Sequence, residues 1–159
     1  MLIDSQNSFS WEDAVTADTI SENVMDLLSG AIKGLTANTI RDIGAGKALY
    51  LHAVVTTALA SSGETTSLIA TLESDSAVGL DASATVHLTS DEFEEADLVA
   101  GTWIFKGVPL PPGAYERYLG MRYAVGAEED FTSGKISAWI SENRYDDRTY
   151  ESGWSTGVN

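Results

Sequence analysis

The sequence predicts an all-β protein, an antiparallel β-sandwich or jelly roll, and three observations carry that expectation. Short runs of alternating apolar and polar residues recur along the chain, separated by clusters of Gly, Ser, Asp and Pro. No segment sustains an apolar stripe at i, i+3, i+4 and i+7 for long. Without a helix long enough to cross over a sheet, neighbouring strands must run antiparallel, and five or six of them need a second layer to bury their apolar faces.

Taken in order, residues 20–28 (Ile-Ser-Glu-Asn-Val-Met-Asp-Leu-Leu) fit either a short helix or a strand, and a loop of small residues follows to Gly46. From Lys47 to Ala58 the pattern is a strand with both faces largely apolar, which suits a central position. Ser61-Ser62-Gly63-Glu64 reads as a turn. Ser67–Glu73 is a second strand with Leu68, Ala70 and Leu72 on one face, and Thr85–Thr89 is a third. The acidic stretch 91–97 reads as a loop or one helical turn, with Ser90 as its N-cap. Thr102–Val108 is a fourth strand, ended by Pro109, Pro111 and Pro112, which offer no N–H to a ladder. Arg117–Gly126 alternates most strongly, with Leu119, Met121, Tyr123 and Val125 on one face. Gly134–Ser141 follows with Ile136, Ala138 and Ile140 inward and Trp139 outward.

The expected organisation is one domain with two extensions: an extended N-terminal arm over residues 1–19, a jelly-roll domain over 20–141, and a C-terminal tail over 142–159. A chain of 159 residues can bury a sufficient core without staples. The absence of cysteine excludes disulfides, thiolate metal sites and cysteine nucleophiles. The first basic side chain is Lys33, preceded by Asp4, Glu12, Asp13, Asp18, Glu22 and Asp26. That opening lacks the basic start and the apolar run of roughly 7–15 residues that a secretory signal needs, so it reads as part of the mature protein. Its apolar residues Leu2, Ile3, Phe9 and Trp11 suit an arm that buries anchors against a partner.

A net charge of −15 repels phosphate backbones and anionic lipid, so neither a nucleic acid nor a membrane is expected as partner. A basic protein surface is the complementary one. Motifs for catalysis are lacking. Gly44-Ala45-Gly46-Lys47 has Arg41 where a P-loop needs glycine and Ala48 where it needs Ser or Thr. His52 and His87 sit mid-strand without a second ligand at metal spacing, and no serine lies in a Gly-x-Ser-x-Gly elbow. The carboxylate clusters at 91–97 and 128–130 lie in solvated turns, and neither carries the Asp-x-Asp-x-Asp-Gly spacing of a calcium loop. No catalytic residue, cofactor or metal is expected. The distinguishing feature is aromatic surface: Trp11, Trp103, Trp139, Trp154, Tyr115, Tyr118, Tyr145 and Tyr150 are numerous for a small β domain and suit packing layers or interfaces.

Four segments carry a resemblance when taken together and in order. They are the opening Met-Leu-Ile-Asp-Ser-Gln-Asn-Ser-Phe-Ser, Arg41-Asp42-Ile43-Gly44-Ala45-Gly46-Lys47-Ala48-Leu49-Tyr50, Arg117-Tyr118-Leu119-Gly120-Met121-Arg122-Tyr123, and Phe131-Thr132-Ser133-Gly134-Lys135-Ile136-Ser137-Ala138-Trp139-Ile140. Over residues 1–141 the chain resembles the capsid cement (decoration) proteins of short-tailed phages, of the type on Bordetella phage heads. The resemblance implies a jelly roll, made in the host cytoplasm, that sits on the outer surface of an icosahedral virion and bridges major capsid protein subunits. It implies self-association as a homodimer, with a trimer as the alternative. The expected partner contacts are Leu2, Ile3, Phe9 and Trp11 in the arm, Pro111, Pro112 and Tyr115 in the loop, and Tyr145, Tyr150 and Trp154 in the tail. The competing expectations are a glycan-binding decoration module, suggested by the aromatics, and a hydrolase, which would need converging acids.

Overall fold

The computed structural model describes residues 5–28, 40, 43, 46, 48–62, 66–126 and 130–144. Among the described residues ten strands form two antiparallel sheets: β1 Ser8–Ala14, β2 Thr19–Ile20, β3 Met25–Asp26, β4 Tyr50–Ala60, β5 Ser67–Asp75, β6 Thr85–Thr89, β7 Phe93–Glu94, β8 Trp103–Pro109, β9 Tyr118–Val125 and β10 Ser133–Ser141. One sheet has the order β1-β10-β4-β8. The other has β9 and β5 at its centre, with β2 and β3 both pairing β9 on one side and β6 and β7 both pairing β5 on the other. Each broken edge counts as one strand position, so both sheets are four positions wide. Counted by these positions, the chain changes sheet at every step except from β5 to the β6–β7 edge. This is the jelly-roll order, as the alternation of the sequence predicts.

The core lies between the sheets and follows the period of two. Leu51, Ala53 and Val55 of β4 and Ile136, Ala138 and Ile140 of β10 face Leu68, Ala70 and Leu72 of β5 and Leu119, Met121 and Tyr123 of β9, all buried. Each large aliphatic side chain so placed contributes about 1.5–3 kcal/mol of burial. The ambiguous segment 20–28 forms no helix and holds two short stretches of strand: β2 and β3 pair β9 through Thr19↔Tyr123, Ile20↔Arg122, Met25↔Leu119 and Asp26↔Tyr118. Ser21 breaks the run by turning its Oγ to the backbone, accepting from the Met121 N–H at 3.1 Å.

Two expectations are corrected. Residues 8–14 are extended, but they form an integral strand of the sandwich rather than part of a free arm, because β1 pairs β10 from Ser8↔Trp139 to Ala14↔Lys135. Ser90 does not cap a helix: its Oγ accepts the Ala70 N–H at 3.0 Å, and the 3-10 turn Glu95–Asp97 follows Glu94 without any side-chain cap. Trp139 points away from the core as expected and is 5% exposed, because the rings of His52 and Trp103 form a packing layer against it.

The 76–84 connection is locked over the second sheet by a notch. A side chain at Gly120 would meet Leu80 Cδ1 at 2.8 Å and Val24 Cγ2 at 3.2 Å, so Leu80 seats closely over the glycine. Leu80 adopts φ 47° and is buried. The Arg122 guanidinium donates to the Leu80 carbonyl and to Glu73 Oε2, the latter at 2.9 Å. Asp75 starts the same connection by accepting the Asp81 N–H at 2.8 Å and the Ala77 N–H at 3.3 Å. Burial would raise the Asp75 carboxyl, but these bonds and that from Ser76 outweigh it and hold the group below the ordinary carboxylate range.

Candidate interaction surface

β1 is the edge strand of its sheet, and two register shifts break its pairing with β10, between Ser8 and Ser10 and between Ser10 and Asp13. Glu12 takes φ 55°, and its N–H donates to Ser137 Oγ at 2.9 Å instead of to a ladder carbonyl. An extra residue in one strand re-aims the side chains that follow it. The shift between Ser8 and Ser10 buries Phe9 and Ser10 in succession, so Trp11, of the same parity as Phe9, stands 58% exposed. No pattern of residue types announces this bulge, which is why the sequence reading grouped the two rings as equivalent anchors.

Beyond Trp11 the chain turns into β2, and an open groove of about 430 Å³ lies between the two strands. Trp11, Glu12, Asp13, Ala14, Val15, Thr19, Ile20, Glu22 and Tyr123 line it. Asp13 Oδ2 accepts the Glu22 N–H at 3.2 Å, which holds the two acidic residues together across the turn. A hydrogen bond and charge repulsion from Asp13 raise the Glu22 carboxyl above its ordinary value. Asp18 accepts the Val125 N–H at 2.7 Å and fixes the turn between the strands. Neither Asp13 nor Glu22 is in an ion pair among the described residues.

The other predicted contacts fall differently. Pro112 is exposed and Pro111 half-buried, as a loop surface requires. Tyr115 is corrected: it is 5% exposed, its hydroxyl donating to the Pro111 carbonyl at 2.7 Å and its ring stacked on His87 at 4.1 Å. It supports the proline loop from beneath and presents no contact surface of its own. Leu2, Ile3, Tyr145, Tyr150 and Trp154 lie outside the described residues. The structure thus leaves Trp11, Pro111 and Pro112 as described surface residues, and it does not bring Trp11 together with the prolines in one groove.

Two histidine clusters were not legible as such. On the outer face of the first sheet, His52 stacks on Trp139 at 5.3 Å, with Trp103 edge-on to both. His52 Nε2 contacts Ser141 Oγ at 3.1 Å and the Asn143 carbonyl at 3.0 Å, so residues after β10 fold back toward this face. Burial lowers the His52 pKa, partly opposed by the Asn143 carbonyl.

In the second sheet Ser74 Oγ and His87 Nε2 share a hydrogen bond at 2.7 Å. Glu116 stands close enough for its charge to oppose the lowering of the His87 pKa by burial. The three residue types match a nucleophilic triad, but the arrangement is that of a structural brace. Ser74 is fully buried, its Oγ accepts the Glu116 N–H at 3.0 Å, and Glu116 Oε1 accepts from Thr85 Oγ1 at 3.1 Å. The acidic stretch 91–97 likewise spends carboxylates internally, Glu92 on Ser67 and Glu95 on Ser61. Among the described residues no three His, Asp or Glu side chains are grouped to hold a metal, and no helix is long and apolar enough to cross a membrane.

The described geometry is therefore that of a jelly roll whose most exposed aromatic stands beside paired carboxylates on a bulged edge strand. No curated protein matches this sequence. Over residues 9–140 the sequence matches the family model Bbp16, and the chain belongs to the Bbp16 family, a family of Bordetella phage proteins.

Proposed function

We propose that this phage protein is a capsid cement, or decoration, protein that binds the outer surface of an icosahedral head and bridges major capsid protein subunits. The observation that carries this reading is Trp11, held outward at 58% exposure by a bulge beside acidic residues, on a jelly roll of a phage family. A large ring so presented suits a protein interface, and the acidic surroundings suit a basic partner. The stabilising effect arises by mass action: a protein that binds only the expanded lattice shifts the equilibrium away from open or burst states. A copy that bridges two capsomers engages the second at high effective concentration, so weak contacts suffice. Self-association into dimers, or alternatively trimers, would supply such bridging.

The test is co-sedimentation of the purified protein with mature heads that lack it, alongside immature heads. Saturable binding to mature heads, a higher rupture temperature and weakening by salt are expected, since exposed opposite charges are screened. Absence of binding to mature heads at any salt concentration would overturn the reading. Truncation to residue 11 is unsuitable as a test, because it removes Phe9 from the core; substitution of Trp11 is the clean alternative.

A further inference from the structure

We infer that the groove between β1 and β2 is a receptor for an arginine side chain of a protein partner, with Trp11 as the stacking face and Asp13 and Glu22 as the carboxylate clamp. The partner in this inference is the capsid lattice of the preceding section, so to that extent it rests on that reading; the chemistry of the groove does not.

Three independent features converge. The aromatic face is Trp11, which the register shift between Ser8 and Ser10 turns outward while Phe9 two residues earlier is buried. The clamp is Asp13 and Glu22, brought together by the Asp13 Oδ2 bond to the Glu22 N–H, and an added cation would relieve the repulsion between them. The lining is mixed, and Ala14 and Ile20 among its polar residues offer contact to the methylene stem of a long cationic side chain. Guanidinium suits this set better than ammonium, because it is planar, forks to two carboxylate oxygens and stacks on aromatic rings.

The same fold shows the combination with its cation in place. Arg117 donates to both carboxylate oxygens of Asp26, at 3.1 and 2.8 Å, while its guanidinium carbon lies 4.8 Å from the centre of the Tyr118 ring. Carboxylate, aromatic ring and arginine are thus already a working unit in this molecule. At β1 the chain presents the first two of the three to the outside. Its net charge of −15 favours approach of a cationic segment and disfavours an anionic one.

The experiment has two arms on the full chain. In the first, the ¹⁵N-labelled protein is titrated with an end-blocked Gly-Gly-Arg-Gly-Gly peptide and its lysine and citrulline counterparts. Saturable shifts confined to the Trp11 indole and the Asp13 and Glu22 amides are expected, in the order arginine, lysine, citrulline. They should be lost in Trp11→Ala and in Asp13→Asn/Glu22→Gln but kept in Asp91→Asn/Glu94→Gln. Non-saturable shifts spread over the acidic surface, or no preference over citrulline, would overturn the inference.

In the second arm the same variants are sedimented with mature heads. A loss of about ten-fold in affinity for the double variant is expected. Equal binding of variant and wild type overturns the groove's role while leaving the capsid reading intact. Failure of the wild type to bind heads overturns the capsid reading, and the peptide titration still decides the groove.

Discussion

The Tyr123 hydroxyl donates to Ser10 Oγ at 3.0 Å through the middle of the sandwich. Tyr123 belongs to the central strand β9 of one sheet and Ser10 to the edge strand β1 of the other, and both are fully buried. Burial pushes the Tyr123 phenol well above its ordinary pKa, which favours its role as donor. This is a polar rivet between two apolar faces, and it fixes the register of a strand that two bulges would otherwise leave loosely specified.

Tyr123→Phe should lower stability by about 1–2 kcal/mol, since it strands a buried serine hydroxyl. Urea denaturation of Tyr123→Phe, Ser10→Ala and the double variant measures it. The double variant should lose less than the sum of the two singles. Strict additivity would show that the bond couples nothing.

Gly134 stands at φ 143°, and a Cβ there would lie 2.5 Å from Leu59 Cγ and 2.8 Å from Leu59 Cα. Backbone cannot step aside as a flexible side-chain tip can. Gly134→Ala should therefore cost about 3 kcal/mol or more, combining backbone strain with overpacking. Gly101→Ala, at φ 94° with nothing within 4 Å, should cost only about 1–2 kcal/mol. Thermal melts of the two variants separate crowding from strain.

Arg122 holds Glu73 and the Leu80 carbonyl at once, and Glu73 is 5% exposed. Arg122→Met leaves that carboxylate buried beside an apolar chain. Because the arginine itself is partly solvated, the expected loss is about 2 kcal/mol rather than the full cost of breaking a buried pair. Hydrogen exchange at the Asp81 amide, which is bound to Asp75, should rise with it as the 76–84 connection loosens.

Burial lowers the pKa of His52 and of His87 below 6.5. Between the folded values and 6.5 the unfolded chain binds more protons, so stability rises with pH there. It should be complete above about pH 6.5, fall as the pH drops below it, and level off once the folded histidines also charge. His52 faces Trp103, Trp139, Ser141 and the Asn143 carbonyl, with none of these charged, whereas Glu116 faces His87. Melting temperatures from pH 8 to 4.5 should show this slope, and His52→Gln should flatten it. An unchanged slope in His52→Gln together with His87→Gln would refute the assignment.

The sandwich was legible because a period of two survives wherever a strand is long: Leu68, Ala70 and Leu72, or Leu119, Met121 and Tyr123, declare their inner face without help. The short edges were not legible. Two-residue strands such as Thr19–Ile20 have no period to read, and only their pairing to β9 makes them strands. The site was half legible. Trp11 was identified by type, but the shift that separates it from Phe9 exists only in the pairing of Ser8 and Ser10 with Trp139 and Ala138, at the far end of the sequence. The pairing of Ser74 with His87 likewise needs the register of β5 against β6.

The first and last strands, β1 and β10, lie side by side and antiparallel, with Ser8 opposite Trp139. The start of one and the end of the other therefore sit at the same pole of the molecule. Tension applied between these two points would open the ladder one bond at a time, like a zipper, rather than shear it as a whole. If instead both points were tied to one support, no load would cross the fold. A cargo fused at either of them would be displayed from that pole.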